Sequence, residues 1–210
     1  MPPLYLHLLP MPVLGLGLYL GYIDGLGAAC AFCYLAWVFR GEALLPRWLW
    51  WSGGLLGGIA LAAHLLPGFQ PMLLWPARQL SSDAPPFALR LSLDKLLLGL
   101  ILLAWWLSRP RPLARHRSLA ALFGVATLLL VPLLAMALGL VAWQPKWPQG
   151  LLLWLAVNLC VAVLAEELLF RGLLQTALIK RLGIWPGLLL TAGLFGAAHL
   201  PFSALFAVVA

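Results

Sequence analysis

Charge is what this sequence has least of. Asp and Glu together number six, Lys and Arg thirteen, and charged residues make up 9% of the 210, against about 25% in an ordinary soluble domain. A chain with 64% hydrophobic residues and a mean hydropathy of +1.01 is not a water-soluble globular protein; it reads as an integral membrane protein. Cysteine is scarce as well. Three residues are too few for a disulfide framework, and the lone Cys30-Ala31-Phe32-Cys33 motif lies inside an apolar run, where helix packing explains it better than redox chemistry or zinc. The first residues lack the basic segment and small-residue cleavage signature of a removable signal peptide. A fixed-period repeat and a pair of matching halves, the mark of many transporters, are also missing. The net charge of +7 is spread over short connections and forms no basic stripe, so nucleic acid is not an expected partner.

What is present is a succession of apolar runs: Leu4 to Tyr22, Leu26 to Phe39, Trp48 to Leu66, Leu96 to Leu107, Leu119 to Trp143, Leu151 to Ala165 and Ile184 to Leu200. A span needs about 20 residues, with roughly 17 sufficing, so the expected fold is all-α, a polytopic transmembrane helix bundle of about seven spans forming one membrane domain over residues 1–210. Arg109, Arg111, Arg115 and Arg117 fill the most basic connection, which the excess of cationic residues on the cytoplasmic side places inside. Counting from there puts Arg40, Arg47, Lys180, Arg181 and the N-terminus inside, and the connections with Asp24, with Arg78 and Asp83, and with Lys146 outside. The expected location is a bacterial inner membrane.

Trp48, Trp50, Trp51, Trp105, Trp106, Trp143 and Trp147 fall near predicted span ends and read as interfacial belts. Gly53-Gly54 and Gly57-Gly58, one helical turn apart, permit close helix approach. Pro132 sits within a long run and predicts a kinked but continuous helix. Pro67 to Lys95 reads as a turn-rich external loop, after which Arg90 and Asp94 have the spacing to pair on one helical face.

The chemistry concentrates further on. Ala165-Glu166-Glu167-Leu168-Leu169-Phe170-Arg171-Gly172 sets two adjacent carboxylates and a guanidinium in an apolar helix that also carries Asn158 and Gln175. One charged side chain at the centre of a membrane helix costs roughly 2.5–3.5 kcal/mol on insertion scales, so a functional role is the default expectation. Glu167 and Arg171, at i and i+4, can pair on one face; Glu166, about 100° around the helix, is left to another partner. Two neighbouring carboxylates in poorly solvated surroundings cannot both ionise cheaply without compensation, the condition in which one becomes a useful general base. The next run ends Phe195-Gly196-Ala197-Ala198-His199, with Phe195 and His199 stacked at i and i+4.

Glu166-Glu167-x-x-x-Arg171 followed by Phe195-x-x-x-His199 resembles the first two motifs of the CAAX protease and bacteriocin-processing family, the glutamic-type intramembrane endopeptidases. The resemblance covers Leu151 to Leu200 in detail and implies a helical bundle with a cavity toward the cytosolic leaflet. By analogy, Glu166 activates the hydrolytic water, His199 binds or polarises the scissile carbonyl, and Glu167 and Arg171 shape the site electrostatically. The family carries a further histidine, with an asparagine one turn later, on a following span. This sequence reaches Ala210 with neither, so the expectation is a partial catalytic core over 151–210, lacking the last helix, with Phe202 to Ala210 opening another apolar segment.

Carboxylate and imidazole could also hold zinc, but HExxH is missing and three ligands are hard to assemble; water activated by glutamate without a metal or other cofactor is the favoured reading. The expected partners are membrane lipid and a peptide or protein substrate. Two other classes remain open: a non-catalytic immunity or binding protein on the same scaffold, and a proton-coupled transporter, which would place charges along several spans.

Overall fold

The computed structural model describes residues 4–79, 85–109, 117–145, 147 and 149–200. Asp83, Arg111, Arg115, Lys146 and the segment from Phe202 to Ala210 lie outside these residues. The chain divides into two compact units, one of Met1–Arg109 with Pro148–Ala177 and the other of Pro110–Trp147 with Leu178–Ala210.

The first unit opens with two short helices where one span was expected. Pro10 and Pro12 break the run Leu4 to Tyr22 into α1 (Leu4–His7) and α2 (Met11–Tyr19), because a proline ring fixes φ and removes an N–H that a helix interior needs. At 1.5 Å per residue the nine residues of α2 reach about 14 Å, well short of a bilayer core. Asp24 caps α3 (Gly25–Leu44), its carboxylate accepting from the backbone N–H groups of Leu26 and Gly27 at 2.8 and 2.9 Å. These are two of the donors that the first turn of a helix leaves without internal partners. Then follow α4 (Arg47–Ala62) and α5 (Leu93–Leu107).

Between α4 and α5 the chain forms a β-hairpin, not the expected loop. Strand β1 (Met72–Arg78) pairs antiparallel with β2 (Phe87–Leu91), Met72 opposite Leu91 and Arg78 opposite Phe87, with irregularities on either side of Trp75. The fold is therefore not purely α. Pro76 lies within β1, which is tolerable because a two-stranded ladder leaves each strand an open edge. The hairpin also overturns the pairing of Arg90 with Asp94. Arg90 is in β2 and Ser92 is extended, so the helical spacing does not apply; Asp94 bonds His64 Nδ1 at 2.7 Å.

Helix α5 is the centre of this unit. Leu97, Leu98, Ile101, Leu102, Ala104 and Trp105 are all buried, surrounded by α2, α3, α4 and the first part of α7 (Leu151–Leu182). Leu98, Ile101 and Leu102 share one apolar cluster with Tyr34, Val38, Trp50, Leu61, Ala165, Leu169 and Leu173. The paired glycines act as expected: a Cβ placed on Gly58 would lie 2.6 Å from Leu169 Cδ1 and 2.9 Å from the Tyr34 hydroxyl. The Tyr34 hydroxyl donates to the Gly54 carbonyl at 3.0 Å.

The tryptophan belt needs a correction here. Trp48, Trp143 and Trp147 are exposed, but Trp50 and Trp105 belong to the core. Trp50 Nε1 donates to the carbonyls of Trp37 and Val38, both at 3.1 Å, and Trp37 Nε1 returns a bond to the Trp50 carbonyl. Satisfying the indole N–H in this way offsets the cost of burying the Trp50 ring.

The second unit contains α6 (Arg117–Ala137), with Pro132 inside a continuous helix, and α8 (Ile184–His199). Among the described residues α7, at 32 residues, is the helix long and apolar enough to cross a bilayer; shorter apolar helices cover Tyr5–Tyr19, Ala121–Ala137 and Ile184–His199.

Candidate functional site

The two carboxylates lie on α7, where that helix leaves α-geometry. Asn158–Val163 and Glu167–Gln175 are π-helical, separated by the short α-turn Leu164–Glu166. Such widened turns are rare and occur often at functional sites. The buried face is set by Ala165, Leu169 and Leu173, each no more than 1% exposed. Their four-residue spacing keeps them on the face packed against α4 and α5: Gly58 and Gly54 of α4 face Leu169 and Leu173, and on α5 a Cβ at Gly99 would sit 3.5 Å from the Ala165 nitrogen. Glu166, Glu167 and Arg171 flank this face and are held partly or fully outside the core.

Each carboxylate has its own cation. Arg171 Nε meets Glu167 Oε2 at 3.1 Å, the i,i+4 pair expected from the sequence, on a largely exposed edge where the side chains are 71% and 44% accessible. Glu166 does turn to a different partner: Lys95 Nζ in the first turn of α5 donates to Glu166 Oε1 at 3.3 Å, in a more enclosed setting of 22% and 27% accessibility. Lys95 was missed in the sequence. The available signal was a lone lysine at the head of a strongly apolar run; its partner stands 71 positions away. Asn158, one of the polar residues of α7, donates its side-chain amide to the Trp154 carbonyl at 2.8 Å.

Phe195 and His199 lie on α8 in the second unit. Their rings stack with centroids 4.5 Å apart, and His199 Nδ1 lies 2.9 Å from the Phe195 carbonyl oxygen. A carbonyl only accepts, so Nδ1 carries the hydrogen and Nε2 is the nitrogen with the basic lone pair in the neutral ring. Glu166, Glu167, Arg171 and Lys95 thus come together within the first unit, and the Phe195–His199 pair is a local feature of the second. Among the described residues, no three His, Cys, Asp or Glu side chains gather as a metal site. The three cysteines are free.

These features define a predominantly helical protein with a membrane-capable helix carrying an ion-paired carboxylate couple. Residues 148–210 match the family model described as Rce1-like, type II CAAX prenyl endopeptidase Rce1-like. The matched interval contains Glu166, Glu167, Arg171, Phe195 and His199, the residues that carry the resemblance to CAAX proteases. No curated protein and no solved structure matches the chain.

Proposed function

We propose that the protein is an intramembrane endopeptidase in which Glu166 activates water for attack on a peptide bond of a membrane-delivered substrate. The observation that carries this reading is the separate pairing of the two carboxylates. Glu167 is committed to Arg171 on its own helix, whereas Glu166 is held by a lysine from α5 through one oxygen. Its carboxylate has a second oxygen with which to accept a hydrogen from water, the geometry a general base requires. Lys95 fixes the orientation of Glu166 and sets a positive charge beside it, and Arg171 does the same for Glu167.

His199 would bind or polarise the scissile carbonyl by donating from Nε2, which requires the doubly protonated ring, because Nδ1–H is already given to the Phe195 carbonyl. A donor placed where charge develops on an oxyanion is commonly worth about 2.7–4 kcal/mol of barrier. The family match supports peptide hydrolysis over the transporter reading. The proposed setting is a bacterial inner membrane with the N-terminus inside, an orientation supported by the cluster of basic residues between Arg109 and Arg117.

Full-length protein reconstituted in liposomes, with fluorogenic peptides ending in a prenylated cysteine motif, tests the reading. Cleavage by the wild type should fall at least a hundredfold in Glu166→Gln and in His199→Ala, a scale typical of losing a general base or an oxyanion donor. Cleavage that persists unchanged in Glu166→Gln would overturn the assignment.

A further inference from the structure

Helices α2, α4 and α6 end in the same way. The residue after the cap has positive φ, its N–H bonds the carbonyl three back, and the next N–H bonds the carbonyl five back, the Schellman arrangement that favours glycine. Helices α2 and α6 use Gly21 and Gly139 there, at φ of 76° and 70°; α4 uses His64, at φ 58°, the one positive-φ residue among those described that is not glycine. A side chain in this strained region is an observed outlier of the kind that collects at ligand sites.

The His64 side chain reaches Asp94 at the start of α5, Nδ1 to Oδ2 at 2.7 Å, and Asp94 itself is only 4% exposed. An ionised Asp94 can only accept, so Nδ1 carries the hydrogen and Nε2 is presented on the other side of the ring. Asp94 Oδ1 is occupied by the Lys95 backbone N–H at 2.8 Å. The dyad lines a cavity of about 320 Å³ whose polar wall also includes Gln70, Arg90 and Ser92 and whose apolar wall includes Leu66 and Phe69. The Ser92 hydroxyl does not cap the helix it precedes.

We propose that this cavity binds the phosphate of a phospholipid headgroup, held by the Arg90 guanidinium, protonated His64 and the neutral donors of Gln70 and Ser92. The donor set is the argument. Arginine offers a fork matched to phosphate oxygens, and the remaining groups supply further donors that a ligand with several equivalent acceptor oxygens uses more fully than a carboxylate does. The buried Asp94 carboxylate is paired to the imidazole through Nδ1 and so fixes the orientation of the ring. Among the ionisable groups packed nearby, Lys95 is turned to Glu166 and completes a different pair. The setting selects lipid as the source. Helix α4 stops at Ala62 and α5 starts at Leu93, so the cavity stands at the ends of two apolar helices, and Leu66 and Phe69 give the glycerol and upper acyl carbons an apolar wall.

The site is independent of the proteolytic reading and is tested without a substrate. Delipidated full-length protein in detergent is titrated with phosphatidylglycerol, and with a neutral galactolipid of identical acyl chains, and bound lipid is read by native mass spectrometry. Wild type should bind the phospholipid at least tenfold more tightly than the galactolipid, and both Arg90→Gln and His64→Gly should remove that preference. Glycine restores the ordinary residue to the strained cap, so His64→Gly removes the imidazole without opposing the backbone; Arg90 is exposed, so Arg90→Gln keeps the test alive if the first variant does not fold. Competition by millimolar inorganic phosphate would support the phosphate subsite, and binding of inorganic phosphate without any phospholipid preference would overturn the lipid assignment. Equal retention of both lipids, or a preference unchanged in Arg90→Gln, would overturn the proposal.

Discussion

Replacing Lys95 by methionine keeps the length and most of the volume of the side chain while deleting its charge, which isolates what the ammonium contributes to Glu166. Two unit charges about 4 Å apart attract by about 4 kcal/mol at the effective dielectric near a protein surface, and the observed separation of 3.3 Å is of that order. Desolvation and the ordering of two long side chains offset much of this. Exposed pairs retain roughly 0.2–1 kcal/mol, whereas breaking a buried one costs about 3–5 kcal/mol. With the side chains 22% and 27% accessible, an intermediate coupling of about 1–2 kcal/mol follows. The measurement is a double-mutant cycle of Lys95→Met, Glu166→Gln and the double variant, by denaturant unfolding in detergent micelles, which requires no substrate. The double variant should lose less than the sum of the singles by that amount, because the second substitution removes a carboxylate already left without its cation. Strict additivity, within about 0.3 kcal/mol, would refute the pairing and with it the argument that α5 sets the state of Glu166.

Two further substitutions probe the framework that carries the site. Gly58→Ala introduces a Cβ 2.6 Å from Leu169 Cδ1 and 2.9 Å from the Tyr34 hydroxyl, so the Leu169 and Tyr34 side chains must give way or the helices move apart; a loss of about 1–3 kcal/mol should appear as a lowered unfolding midpoint, and an unchanged midpoint would show that the contact is slack. Asp24→Ala removes the acceptor of two backbone N–H groups at the start of α3, and should cost about 1 kcal/mol with faster amide exchange at Leu26 and Gly27; unaltered exchange there would exclude a capping role.

Local features of the site were legible in the sequence and tertiary ones were not. The pairing of Glu167 with Arg171 follows from helical spacing alone, as does the turning of Glu166 to another side. The identity of that other partner depends on α5 docking against α7, and nothing in an apolar run containing Lys95 says which face of a distant helix it meets. The same limit explains Trp50 and Trp105. Their positions near span ends suggested an interfacial belt, but the carbonyls that satisfy the Trp50 indole come from α3 and no linear pattern announces them. Proline was misleading in both directions. Pro10 and Pro12 divided a run that hydropathy reads as continuous, while Pro76 and the Pro85-Pro86 pair made a segment look like a loop when its strands form a hairpin. Arg90 and Asp94 failed to pair for a related reason: i,i+4 geometry applies only within a helix, and the helix begins between them, after Ser92.

The difference between the two carboxylates bears on which of them can do chemistry. The Glu167–Arg171 pair is made within one helix, so any state in which that segment is helical can contain it, and its accessibility leaves it open to screening. The Glu166–Lys95 pair exists only when α5 and α7 are packed together, through Leu164 and Ala165 on one side and Gly99 on the other. The charge environment of Glu166 is therefore a property of the assembled unit. A group that must be ionised and oriented at one position, as a general base must, is better served by a partner delivered through tertiary packing than by one that follows it on the same helix. By that reasoning Lys95→Met should impair cleavage by altering Glu166, whereas Arg171→Met should act mainly through the charge left on Glu167. Restoring a cation with Lys95→Arg should recover part of the activity lost in Lys95→Met; a full-rate Lys95→Met enzyme would reverse the assignment of the two carboxylates.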